Sequence, residues 1–448
     1  MEIFWEAFTQ LRYIFYLVTP KETSFKKIED VPDYAMTALP MMVVLMLIEQ
    51  IILLYKGHKF ARVNDTILSI TTGMLLQLSR IPCRSVELVI YCWIYKNFRL
   101  LTLPWDSVWT WLAAFLIADF CYWLTHRLSH EVNIFWMFHQ IHHTSEELNT
   151  TTSLRISFLL PFLAWFGYIP MAIFIPPSQF FAHYQLNLLY QFWIHTEAIG
   201  KLGPLEYILN TPSHHRVHHG RNRRCIDKNY AGVLIIWDRL FGTFEAEGKE
   251  KIYYGLVHPV KAMNVLWLNF LQLIHIWNIF HKMKGFSDKF SVIFKGPGWS
   301  SGSLRLGHLE DIPEPDPNDP KYDPPLPFWC NLYVVCHFAI LLLGFGNLTV
   351  RHMEFSPFIL TCDIAYLVYG LTVMTILLEI SPRAPLLESI RCMIYLTMDF
   401  YMLPATLSAH HPEFHWILVY TSRIFHILSL MFWGLVCCMD PEHFIKKI

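Results

Sequence analysis

Long apolar stretches set the pattern of this chain. Residues 38–55, 108–125, 154–175, 180–194, 329–345, 357–378, 390–407 and 416–438 each approach or exceed the roughly 20 residues a helix needs to cross a bilayer. A further stretch, 65–95, is of spanning length but is interrupted by Arg80, Pro82 and Arg84. Buried core helices of a water-soluble protein do not account for so many runs of this length. The pattern predicts an all-α, polytopic helical membrane protein with about nine transmembrane spans.

The polar positions divide the chain into four parts. Residues 1–105 form an N-terminal membrane segment and 106–290 a central core. Residues 291–327 are polar and rich in Pro and Gly, with Pro313, Pro315, Pro317 and Pro320 closely spaced, and predict an extended linker. Residues 328–448 form a four-span membrane region. The chain starts with Glu2 and Glu6 ahead of Arg12, which is not the basic start of a cleaved signal; the first span is expected to serve as an anchor.

Composition sharpens this picture. The 448 residues are 54% hydrophobic and 16% charged, with a formal net charge of −1, so a membrane is expected as partner and nucleic acid is not. The ten cysteines are scattered, with no Cys-x-x-Cys pair, and build no disulfide framework. Basic residues concentrate between 200 and 262, including Lys201, Arg216, Arg221, Arg223, Arg224 and Lys228. The positive-inside rule puts that segment in the cytosol. If 154–175 and 180–194 cross and return, residues 126–143 share that face.

The candidate chemistry lies in three histidine clusters. They are His126 with His130, His139 with His142 and His143, and His215 with His218 and His219. Spacings of three and four place rings one helical turn apart on one face. Eight imidazoles exceed what one metal ion takes, so two ions are expected. Ligand type alone leaves iron, copper and zinc open; an all-nitrogen set without cysteine suits iron. Asp119, Tyr122, His126 and His130 share a helix face, and an acid inside an apolar run needs a partner. An imidazole N–H of the site is expected for Asp119; the alternative is a water-filled cavity. Glu131 reads either as a carboxylate beside the metals or as a solvated charge. His195 ends the 180–194 run with Gln191 a turn earlier, and is expected as a ninth ligand; the alternative is a hydrogen-bonded histidine at a span end. His214 points away from its neighbours. His410 and His411 read as a solvated loop, and the stretch around His275 and His281 as an interfacial helix.

A metal pair at a membrane edge faces a lipidic substrate. The chain has no Gly-x-Gly-x-x-Gly, no P-loop and no haem motif, so electrons must come from a separate donor. The three clusters, the stretch from Asp119 to Arg127, Lys228-Asn229-Tyr230 and the run from Trp237 to Phe244 together resemble the fatty acid hydroxylase/sterol desaturase superfamily. Those motifs cover about 110–245. The C-terminal spans, the linker beginning at Gly296 and the overall length resemble its members that act on ether lipids. The resemblance implies two irons, O2 and tetrahydrobiopterin, a site in the endoplasmic reticulum membrane, and cleavage of an alkyl ether to a fatty aldehyde and a glycerol. On that implication Glu131, Asn229 and Tyr230 are expected at the cytosolic mouth, with Tyr230 or Trp237 stacking on the pterin and Asp119, Glu131 and Tyr230 serving catalysis. Two other readings stay open. One is a sterol or fatty-acyl hydroxylase or desaturase. The other is a metal-ion transporter, whose sites would sit near the membrane midplane rather than at span ends.

Overall fold

A computed structural model describes residues 2–162, 164–406 and 412–439. Among them there is no strand, only the isolated bridges Leu209–Leu234 and Gly220–Tyr254. The chain clusters into two units, one comprising 1–260 and 269–321, the other 261–268 and 322–448.

The first unit carries α1 (Glu2–Ile14), α2 (Pro20–Thr23), α3 (Tyr34–Tyr55), α4 (Val63–Phe98), α5 (Val108–Glu131), α6 (Asn133–His139), α7 (Pro177–Ile194), α8 (Pro212–His219) and α9 (Ile236–Phe241). It also includes most of α10 (Val265–Lys282) and all of α11 (Phe286–Phe294). Asp33 caps α3 by accepting from the Met36 amide at 3.0 Å. Tyr34, Ala38, Met42, Glu49 and Leu53 mark its buried stripe, while Val43, Leu47 and Ile51 are exposed, the arrangement of a helix with one face on protein and one on lipid. That stripe packs with Ile14 of α1 and with Leu186, Tyr190 and Trp193 of α7 in one apolar cluster.

Among the described residues, five helices are long and apolar enough to cross a membrane: Ile28–Tyr55, Val108–Glu131, Phe328–Arg351, Pro357–Leu377 and Val419–Cys438. The remaining expected spans take other forms. Residues 154–175 do not make a continuous helix. Pro161 and Pro170 remove backbone donors, and the chain forms 3-10 turns at Leu160–Phe162 and Ala164–Ile173. Helix α7 is buried along most of its length and serves as a core helix. Helix α4 runs 36 residues, roughly 54 Å at 1.5 Å per residue, and carries Asp65, Arg80 and Lys96. Residues 390–406 fall in a helix that carries Glu388, Arg391 and Asp399.

The segment after α11 stays with the first unit as far as Lys321. Arg223 donates to the Ile312 carbonyl from Nε at 2.9 Å and Nη2 at 2.8 Å, and Arg305 Nη1 donates to the Glu131 carbonyl at 3.1 Å. Helix α10 exposes Trp267 and Trp277.

The second unit contains α12 (Phe328–Arg351), α13 (Pro357–Leu377), α14 (Ala384–Thr406) and α15 (Pro412–Cys438). Its interior holds a buried ion pair, Arg391 on Glu388 at 2.6 Å. Arg391 also donates to His337 Nδ1 at 2.8 Å and His426 Nε2 at 3.0 Å, so one guanidinium joins three helices. The loop read at His410 and His411 lies outside the described residues.

Candidate metal centre

Five elements deliver the histidines. The last turns of α5 carry His126 and His130. Helix α6 and the 3-10 turn Gln140–Thr144 carry His139, His142 and His143, His195 caps α7, and α8 carries His215, His218 and His219. Helix α8 starts at Pro212, whose missing N–H costs nothing in the first turn, and all its residues are buried.

These side chains converge as two groups. His126, His130, His139, His143 and His218 form one; His142, His195, His215 and His219 form the other; within each, the ligand atoms lie within 4.8 Å of one another. Eight of the nine are buried. Each His-x-x-His-His cluster is therefore divided between the groups, because neighbouring side chains diverge by about 100° on a helix. The His218 and His219 rings stand at 87°.

The proton positions show what the groups can hold. The His126 Nδ1–H donates to the Tyr230 carbonyl at 2.7 Å, and that of His218 to the Lys228 carbonyl at 3.0 Å. In the second group His142 Nδ1 donates to the Arg155 carbonyl at 3.1 Å and His195 Nδ1 to the Gln191 carbonyl at 2.6 Å. A carbonyl only accepts, so each of these rings carries its proton on Nδ1 and presents a bare Nε2 lone pair. Yet the Nε2 atoms of His142 and His195 are 3.1 Å apart. Two lone pairs at that distance repel unless a cation lies between them. Other Nε2 pairs are as close: His126–His139 at 3.0 Å and His195–His215 at 2.8 Å. The Nε2 atoms of His130 and His218 are buried without a hydrogen-bond partner among the described residues. Donor nitrogens of one shell about 2.1 Å in radius sit at comparable separations. The residues fit two metal ions.

Electrostatics favour the same form. Burial, reinforced by neighbouring imidazoles, holds His139, His142, His143, His215 and His219 well below the ordinary imidazole value. Burial lowers His195 to about 3 and His218 to about 4. These rings are neutral at physiological pH, as ligation requires.

The other expected residues are placed differently. Asp119 meets no imidazole. Its carboxylate accepts from Asn187 Nδ2 and the Val233 amide at 2.8 Å each, from Trp237 Nε1 at 2.9 Å and from the Leu234 amide at 3.0 Å. It lies seven residues before His126, about 10 Å along the helix, and so pins the 233–237 segment to α5 instead. Trp237 spends its indole N–H on Asp119 and meets the Phe120 ring edge-on at 5.1 Å. Asn229 is buried, donating to the His214 and Glu245 carbonyls at 3.0 and 2.7 Å. Glu131 has one oxygen on Arg127 at 2.8 Å and the other on Arg305. Neither oxygen joins a histidine group. Tyr230 is fully buried, its ring 5.3 Å from His130 and 5.8 Å from His126, with no hydrogen-bond partner for its hydroxyl. His214 stays outside both groups.

Sequence reasoning passed over Asp227, whose carboxylate lies 3.6 Å from His130 Nδ1. Its adjacency to Lys228-Asn229-Tyr230 was the available signal. It also passed over Glu49, which accepts from Thr150 Oγ1 at 2.5 Å and from Thr196 Oγ1, next to His195.

Comparison with known proteins decides the family. The chain matches the fatty acid hydroxylase family model over residues 111–243 and the alkylglycerol monooxygenase C-terminal domain over 330–412. It is 48% identical over 388 residues to alkylglycerol monooxygenase of Homo sapiens, covering 86% of this chain and 87% of that protein. The chain belongs to the alkylglycerol monooxygenase family. The family member of Danio rerio is 43% identical over 446 residues, covering 97% of this chain and 96% of its own length. An ornithine lipid hydroxylase of Rhizobium tropici is 31% identical over 142 residues, or 31% of this chain. No solved structure matches. All nine histidines fall within the stretch matched by the hydroxylase model. Membership in the alkylglycerol monooxygenase family makes the chain a monooxygenase of the membrane.

Proposed function

We propose that this chain is a di-iron, tetrahydrobiopterin-dependent monooxygenase of the endoplasmic reticulum membrane that uses O2 to cleave the alkyl ether bond of alkylglycerols and lyso-alkyl phospholipids. The observation that carries the reading is the pair of converging imidazole sets, five and four histidines strong, in which His126, His218, His142 and His195 present a proton-free Nε2. Imidazole suits iron among the first-row metals. When bound, the two irons supply the activation of O2 that organic side chains cannot.

The overall reaction balances simply. One oxygen atom enters a C–H bond of the alkyl carbon beside the ether oxygen, and the other leaves as water. The pterin supplies two electrons and two protons. The resulting hemiacetal breaks its C–O bond to give a fatty aldehyde and a glycerol. The chain's part is to hold neutral imidazoles in a fixed tautomer, exclude water by burial, and place the Tyr230 ring beside the histidines, its hydroxyl without a hydrogen-bond partner among the described residues. The basic 200–262 segment supports a cytosolic site, and the apolar runs of the sequence support about nine spans.

The test is turnover by the purified full chain in lipid nanodiscs, loaded with ferrous iron and given hexadecylglycerol, O2 and synthetic tetrahydrobiopterin. Hexadecanal and glycerol should appear in equal amounts. Activity only on addition of a haem or flavin electron-transfer protein would overturn the pterin assignment. Hydroxylated acyl chains or sterols without aldehyde would place the enzyme with the hydroxylases instead. Metal transport by vesicle-reconstituted protein would overturn both.

A further inference from the structure

One short loop supplies the outer partners of three histidines. Tyr230 offers its carbonyl to His126 at 2.7 Å, Lys228 its carbonyl to His218 at 3.0 Å, and Asp227 its carboxylate to His130 Nδ1 at 3.6 Å. All three histidines belong to the five-membered group. In the four-membered group the outer partners of His142 and His195 are backbone carbonyls.

The loop's backbone is built for this. Asp227 and Asn229 both adopt left-handed conformations, at φ 58° and 55°, which Asp and Asn tolerate better than other side chains. Such conformations persist when surrounding bonds over-determine them. Here the Asn229 amide donates to the Thr243 carbonyl at 3.0 Å, and the Tyr230 and Ala231 amides donate to the Asp238 carboxylate at 2.9 Å each. The alternating turns point the Lys228 carbonyl and the Asp227 carboxylate at histidines on different helices, α8 and α5.

Asp227 differs from its neighbours in charge. A carboxylate on the outer nitrogen orients a ligating imidazole and makes it more basic than a carbonyl does. The other carboxylate nearby, Glu131, is taken by Arg127 and Arg305. His130 Nε2 meanwhile is buried and has no hydrogen-bond partner among the described residues.

We infer that Asp227 is the positioning residue of His130, and that its carboxylate makes the two metal positions chemically unequal. This rests on the di-metal reading above. The experiment separates the two by using ferrous iron alone, without substrate. The full chain is purified metal-free and titrated anaerobically with isotopically enriched iron, with content read by elemental analysis and environment by Mössbauer spectroscopy. The wild type should bind two irons per chain; failure to do so would sink the di-metal reading itself. Asp227→Asn keeps the left-handed backbone and removes the charge. It should weaken one iron about 10–100-fold and shift one Mössbauer doublet while leaving the other in place. Unchanged affinity and an unchanged spectrum would overturn the role of Asp227 while the di-metal reading stood. A second variant guards against a general folding effect. In a His130→Ala chain, Asp227→Asn should have no further effect on iron affinity. A further loss there would show that Asp227 acts elsewhere.

Discussion

His195 stands at the last turn of α7, its Nδ1 on the Gln191 carbonyl and its Nε2 2.8 Å from that of His215. Replacing it with Ala should remove one donor of the four-membered group and lower bound iron from two ions per chain toward one. Elemental analysis of purified protein checks this, and full iron content would exclude it as a ligand. Asp119 calls for a different readout. It accepts four hydrogen bonds from three elements, and Asp119→Ala strands those donors without water. The loss should cost roughly 3 kcal/mol or more in unfolding free energy. An unchanged denaturation midpoint would show that the four donors find other partners. His195 was legible at the end of an apolar run. The partners of Asp119 were not, because Asn187 and Trp237 are distant in sequence and meet it only through packing.

At the scale of elements, α5 packs closely against the 3-10 segment Ala164–Ile173. A Cβ built on Gly167 would lie 1.8 Å from Thr125 Oγ1, one residue before His126. Gly167→Ala should therefore cost about 1–3 kcal/mol by overpacking and disturb the start of the histidine helix. Thr125→Ala in the same chain should recover most of that loss, read as a coupling between the two changes in thermal unfolding. Additive effects would mean that the clash is relieved elsewhere. In the second unit, Glu388→Ala leaves Arg391 buried without its counter-ion. Breaking such a pair costs roughly 3–5 kcal/mol, so detergent-solubilised protein should unfold at a clearly lower temperature. An unaltered midpoint would imply that His337 and His426 suffice to hold the guanidinium. The long helices were visible as apolar runs. The 154–175 segment was not, since hydropathy counts its apolar residues but not the donors removed by Pro161 and Pro170.

For the whole molecule, the buried imidazoles link stability to pH. Their folded values are depressed, to about 4 for His218 and about 3 for His195, against 6.5 for an unperturbed ring. Below 6.5 the unfolded chain binds more protons than the folded one, so stability rises with pH in that window and is complete above it. Chelator-treated protein should lose thermal stability steadily as pH falls from about 6.5 toward 4, and the iron-loaded protein should release metal over the same range. A midpoint independent of pH there would mean that the rings are already protonated or solvent-exposed when folded. What the sequence alone determined is the stock of parts: apolar runs long enough for membrane helices, and histidines four apart that share a helix face. The family resemblance was legible for the same reason, since it rests on spacing within single elements. Only the tertiary structure decided how those parts combine. It divided each His-x-x-His-His cluster between two groups, tied Glu131 to arginines, and brought Asp227 to His130. Local spacing sets the direction of a side chain about its own helix axis, whereas its partner depends on how helices far apart in the chain pack together.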